Sequence, residues 1–217
     1  MFARVVAGIP RARRSPHFAT VGSVALTAKG QATRQRIVEG AATHLRSGDP
    51  ADVTLDDIRA VTGTSKGQIF HYFPGGKEEL FLAVARYEAD RVLDDQQPHL
   101  GALTSWPAWT AWRDAVVARY RAQGMNCPLG ALMSQARSTP GATEVITTLL
   151  EQWQDGVRRG ITAMQDSGQV RAGLDPDRVA SAFVAGIQGG VQVLRSTGEI
   201  GHLEAALDTL IEHLRGV

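Results

Sequence analysis

The stretch from Thr54 to Leu80, TLDDIRAVTGTSKGQIFHYFPGGKEEL, constrains the fold of this chain more than any other. It carries two short helical patterns joined by a tight turn. Leu55, Ile58 and Val61 fall at i, i+3 and i+6, which gives the first helix an apolar face. Thr54 is placed to cap that helix by accepting from the amide three residues on, and Asp56 and Asp57 suit its positive start. Gly63 supplies the left-handed backbone that a sharp stop needs. Thr64 or Ser65 caps a second helix that runs from Lys66 through Tyr72 and ends before Pro74. Ile69, Phe70 and Phe73 are expected to pack inward, leaving Lys66, Gln68, His71 and Tyr72 outside.

That outer face has the chemistry of a helix that lies on DNA. Glutamine pairs with base edges, lysine with guanine or phosphate, and histidine and tyrosine reach phosphate oxygens. Gly67, in the first turn, holds nothing between backbone and groove. A helix-turn-helix presents the start of its second helix to the bases while its first helix crosses the backbone. Any two-helix hairpin also has a polar side, so the geometry alone leaves both readings open.

The run TSKGQIFHYFPGGKEEL, preceded by TLDDIRAVTG and an amphipathic helix, resembles the DNA-binding domain of the TetR family over about Gly30 to Arg91. The doubled Gly75-Gly76 departs from most members by one extra residue. That variant, and Cys127-Pro128-Leu129-Gly130 further on, resemble the LmrA/YxaF-like branch. The resemblance implies an all-α chain with an N-terminal three-helix helix-turn-helix domain and a C-terminal helical ligand-binding and dimerisation domain. The boundaries expected are 1–28 for an N-terminal extension, 29–76 for the DNA-binding domain and 77–217 for the remainder. The implied DNA-facing residues are Thr33, Thr54, Thr64, Ser65, Lys66, Gly67, Gln68, His71, Tyr72 and Lys77. The partners implied are double-stranded operator DNA, a near-palindrome, together with a small, mainly apolar effector and a second copy of the chain. No membrane, metal or cofactor is expected.

Charge agrees with local rather than general attraction for phosphate. The net charge is +1, made of +4 in residues 1–28, zero in 29–93 and −3 in 94–217. The first segment holds Arg4, Arg11, Arg13 and Arg14 without an acid and shows no period. It reads as a disordered tail, as a start assigned upstream of the true one, or as a basic arm for phosphates or the minor groove. A single cysteine, Cys127, excludes an intrachain disulfide, and Pro10 with the arginines breaks any leader-like run, so a cytoplasmic protein is expected.

The first helix is expected over about Thr33 to Arg46, from the stripe Ile37, Val38, Ala41, Ala42 and Leu45, with Gly48-Asp49-Pro50 ending it. A long helix follows from Lys77 to about Asp94 and joins the reading head to the rest. Lys77 sits in its first turn, where free amides favour an anion. Further helices are expected at 106–123, 129–137, 141–167, 175–196 and 201–215, with Asp175-Pro176-Asp177 as a helix start.

Trp106, Trp109 and Trp112 form an aromatic stripe, a pattern that serves core as readily as pocket. The resemblance implies that some of Trp106, Trp109, Trp112, Cys127, Leu129, Met133, Trp153 and Phe183 line a pocket. Cys127 reads as a packed thiol, since no second cysteine is present to resolve an oxidised one. The last two helices are rich in apolar residues, and the resemblance implies a dimer interface through Val184, Ile187, Val191, Leu207, Leu210 and Leu214. Packing on the chain's own core is the alternative. The competing class, a helical enzyme, finds no support. The six histidines are scattered, and neither an HExxH motif, a Cys/His ligand spacing nor a Gly-x-Ser-x-Gly elbow occurs.

Overall fold

The structure is a computed structural model that describes residues 26–46, 52–136 and 138–216. The basic segment with Arg4, Arg11, Arg13 and Arg14, and the Gly48-Asp49-Pro50 stop, lie outside the described residues.

Among the described residues the chain is helical throughout, with helices α1 (Ala28–Leu45), α2 (Leu55–Thr62), α3 (Lys66–Tyr72), α4 (Gly76–Asp94) and α5 (Trp106–Gln123) in order. These are followed by α6 (Pro128–Gln135), α7 (Ala142–Asp166), α8 (Pro176–Thr197) and α9 (Gly201–Arg215). Short 3₁₀ turns at His99–Ala102 and Gly124–Asn126 flank α5. α1 begins five residues before the expected Thr33, because Thr27 caps it by accepting from the Gly30 amide. Its first turns face solvent, so no apolar stripe marks them.

Local chemistry sets most of the other boundaries. Ser105, Cys127 and Asp175 cap α5, α6 and α8, each followed by proline within the first turn. Gly198, in the left-handed region with φ +78°, ends α8 and turns the chain into α9.

Two apolar cores result. The first joins Ile37, Val38, Ala41, Ala42 and Leu45 of α1 to Ile58, Ile69 and Phe73, and takes Leu80, Phe81, Ala83 and Val84 from α4. The second begins on the same helix at Ala85, Ala89 and Val92 and continues through α5 to α9. The head's core therefore extends beyond residue 76, and α4 is shared between the two bodies. α8 packs on both α7 and α9. At the α8–α9 crossing, a Cβ on Gly190 would stand 2.6 Å from Leu203 Cα, so the two backbones meet there without room for a side chain.

Candidate nucleic-acid interface and effector domain

The reading head is built on two short helices, of 8 and 7 residues, that would not persist alone. Each is held by a reciprocal cap. The Thr54 hydroxyl accepts from the Asp57 amide at 3.2 Å, and Asp57 Oδ2 accepts from the Thr54 amide at 2.8 Å. These bonds from Thr54 hold the Asp57 carboxyl below the ordinary carboxylate range. One helix later, Ser65 Oγ accepts from the Gln68 amide at 3.2 Å, and Gln68 Oε1 accepts from the Ser65 amide at 2.9 Å. Between them Gly63 takes φ +60°. The guanidinium of Arg36 on α1 donates to the Thr62 carbonyl and ties the turn to the bracing helix.

Ile69 and Phe73 are fully buried and seat α3 on the head's core. The side turned to solvent carries Lys66, Gly67, Gln68, Phe70 and His71. Around Gly67 a Cβ would meet nothing within 4 Å, so the first turn of α3 is open to close approach. His71 and Tyr72 lie edge to face with centroids 4.8 Å apart, and Tyr72 is half-buried against the head's core. Lys77 occupies the first turn of α4 with Nζ 5.1 Å from the centre of the Phe81 ring.

Several expected roles change. Phe70 is 42% exposed, so it belongs to the outer face and not to the core. Only one apolar residue per turn of so short a helix can point inward, and Ile69 already does. Val61 likewise is 51% exposed, and Ile58 carries the inward face of α2 with half-buried Leu55 beside it. Thr64 is buried, its hydroxyl 2.9 Å from that of Thr62, and offers nothing to a phosphate. Thr33 is half-buried and its hydroxyl donates to the Lys29 carbonyl at 3.0 Å. Gln68 faces out, but Oε1 is committed to the cap, which leaves the Nε2 donors for a base. Phe70, like Val61, lies on the outer side that the sequence pattern did not assign to it. On a face with Lys66 and Gly67, its ring suits the C5-methyl of thymine.

In the second body the aromatic stripe is core. Trp109 and Trp112 are fully buried, with ring centroids 5.7 Å apart, and each packs at a tilt against buried Phe183 with centroids 5.3 and 5.8 Å away. Trp112 Nε1 donates to Gln96 Oε1 at 3.1 Å. Trp153 is also fully buried. Trp106 is half-buried, with the Arg215 guanidinium 5.0 Å from its ring centre, and Met133 packs partly buried against the same core. Of the eight expected pocket residues, Leu129 lines a small cavity. That cavity, about 10 Å³, lies between α4, α5 and α6 and is walled also by Val92, Gln96, Val116 and Tyr120.

Cys127 is buried, its sulfur accepts from the Gly130 amide at 3.2 Å, and burial raises its thiol above the ordinary range. A buried sulfur that caps a helix and whose thiolate is disfavoured by burial fits the packed thiol expected from the sequence.

The expected dimer residues also fall inside. Ile187 and Leu207 are fully buried within this chain, and Val184, Val191 and Leu214 nearly so. They pack the α8–α9 pair on this chain's own body. Leu210 is the one of the six that stays half-buried. The outer sides of the two helices expose Ala182, Ala185 and Gly189 on α8 and Ala205 and Thr209 on α9, among polar residues such as Ser181, Gln192, Asp208 and Glu212.

Among the described residues no group of histidine, cysteine or carboxylate side chains could hold a metal, and no helix is long and apolar enough to cross a membrane.

Comparison with known proteins agrees with this geometry. Residues 37–84 match the bacterial regulatory proteins of the tetR family, and residues 108–210 match the tetracyclin repressor-like C-terminal domain. The HTH-type transcriptional repressor AcnR of Corynebacterium efficiens is 42% identical over 72 residues, 33% of this chain and 38% of that repressor's length. A TetR transcriptional regulator from Chloroflexus aurantiacus is 26% identical, with 86% of this chain and 96% of that one covered at a TM-score of 0.72. The SmeT–triclosan complex, 20% identical, shares the fold over 84% of this chain and 91% of that one at a TM-score of 0.66. A paired-cap reading head with its own core, mounted through α4 on a larger helical body, is thus matched at both ends, and the chain belongs to the TetR family of transcriptional regulators.

Proposed function

We propose that this protein is a ligand-responsive repressor of the LmrA/YxaF-like branch that binds a near-palindromic operator as a homodimer in the cytoplasm and is released by a small, mainly apolar effector. The observation that carries the reading is the outward face of α3, where Lys66, Gly67, Gln68, Phe70 and His71 share one exposed side of a helix locked at its start by Ser65. Gly75-Gly76 and Cys127-Pro128-Leu129-Gly130 support the branch. The effector reading rests on the separate core of the second body and on SmeT, whose complex holds triclosan in a protein of the same fold.

Selection of duplexes from a random pool tests the operator. Enriched sequences should carry two half-sites about one helical turn, roughly 34 Å, apart. Phe70→Ala is expected to relax preference at a thymine and cost about 1–3 kcal/mol there, whereas Lys77→Ala should weaken all duplexes alike and lower the salt slope by about one. If both variants keep wild-type preference and salt dependence, the reading helix has been misplaced.

The dimer surface assigned here is the exposed small-residue side of α8 and α9. A Cβ on Gly189 meets nothing within 4 Å in the single chain, so Gly189→Arg should fold normally. In a dimer joined through this face it should yield monomers, measured by sedimentation, whose DNA binding is weak and strongly salt-dependent. Wild-type-like dimers from that variant would move the interface elsewhere.

A further inference from the structure

The boundary between the two cores runs across α4 between Val84 and Ala85, and one polar contact stands beside it. Arg46, the residue that closes α1, reaches Glu88 in the middle of α4. Its Nε donates to Glu88 Oε1 at 2.8 Å and its Nη2 stands 2.8 Å from the same oxygen. The Glu88 side chain is fully buried and that of Arg46 is 14% exposed. The second oxygen, Oε2, is buried without a hydrogen-bond partner among the described residues.

Such a pair is a costly way to hold two helices together. Two charges leave water, and one carboxylate oxygen is left unsatisfied. Burial is the largest influence on Glu88 and raises its carboxyl above the ordinary range, against the opposing pull of Arg46 and Arg91. A carboxyl raised on folding takes up a proton more readily folded than unfolded. Its ionised form therefore subtracts from stability above the folded pKa, and that loss is recovered as pH falls. Fold stability does not account for the pair, but its position does. α1 braces α3 through the head's core, so a fixed Arg46 fixes how the reading head sits along α4.

We propose that the Arg46–Glu88 pair positions the reading head on α4, and that operator affinity depends on it while the stability of the fold does not. It is a positioning pair that touches no DNA, and the inference rests on the DNA-binding reading above.

The test uses full-length protein and one duplex enriched from a random pool by the wild type. Glu88→Gln removes the charge and keeps the shape. Its affinity for that duplex should fall by about tenfold or more, within the usual span of coupling between sites, while its thermal midpoint stays or rises. The charge exchange Arg46→Glu with Glu88→Arg should recover part of the affinity.

A pH series gives a second readout. The charged groups that act on Glu88 are Arg46 at the end of α1, Arg91 on α4 and Asp95 just past it, and Glu88 in turn acts on the Cys127 thiol that caps α6. Lowering the pH should weaken the wild type relative to Glu88→Gln as the carboxylate, raised by burial, is neutralised. Unchanged affinity in Glu88→Gln overturns the proposal. So does a parallel fall in affinity and thermal midpoint, which would make the pair a structural one. Failure to enrich any duplex would count against the DNA-binding reading instead.

Discussion

Replacing Gly190 by valine is expected to destabilise the protein by about 3 kcal/mol or more, the upper range for forcing atoms into a packed crossing. A Cβ at that position would lie 2.6 Å from Leu203 Cα and 2.9 Å from its backbone nitrogen. These are main-chain atoms of α9 and have no rotamer to escape into. The two helices must separate, and the apolar residues clamped between them, Ile187, Val191, Leu203 and Leu207, lose contact together. For a chain of this length the midpoint should drop by about 6–12 °C. Gly186 supplies the control. There a Cβ would meet only Leu210 Cδ1 at 3.3 Å and Ala206 Cβ at 3.4 Å, side-chain atoms that yield by a few tenths of an ångström. Gly186→Ala should stay within about 1 kcal/mol of the wild type, since the helix gains what the contact loses. Equal midpoints for Gly190→Val and the wild type would show that α8 and α9 are not in the contact described.

Trp109→Ala is the second large effect. Trp109 is fully buried and makes ring contacts with Trp112 and Phe183, so its removal should cost about 3–5 kcal/mol, measured by denaturant unfolding. Trp109→Phe keeps the aromatic contact and should lose far less. The comparison separates core from pocket lining. A tryptophan that lines an open site leaves the fold nearly intact when truncated. Loss of less than about 1 kcal/mol in Trp109→Ala would return it to the candidate effector site.

The pattern of success in reading the sequence has physical causes. Helices whose apolar faces run their whole length were legible to the residue, as with Trp106–Gln123 and Gly201–Arg215. The first helix was read five residues short, because Ala28, Lys29, Gln31 and Ala32 all face solvent and carry no stripe. Thr54 and Gly63 announced their roles through residue type alone, since a cap and a left-handed turn are local events. Phe70 and Val61 misled for the opposite reason: whether an apolar residue points in or out of a helix only two turns long depends on its partners, not on its period. The dimer residues show the same limit at larger scale. A valine or isoleucine on α8 is equally apolar whether buried by its own chain or by another, and here its own chain has covered it. What remains outside is alanine and glycine among polar side chains, which give almost no signal of an interface in a sequence. Arg46 and Glu88 are 42 residues apart in sequence, and no spacing rule could have joined them.

The sharing of α4 between two cores sets a gearing ratio. The helix has 19 residues, a glycine only at its first position and no proline, so nothing within it absorbs a bend. From Glu88 to Gly76 is about 18 Å at the rise of an α-helix, and a rotation of about 6° about Glu88 sweeps the far end through about 2 Å. In a symmetric pair the two ends move in opposite senses and the head separation changes by about 4 Å, more than a hydrogen bond to a base edge tolerates. In the proposed homodimer a tilt of this size on effector binding would become a misfit at the DNA.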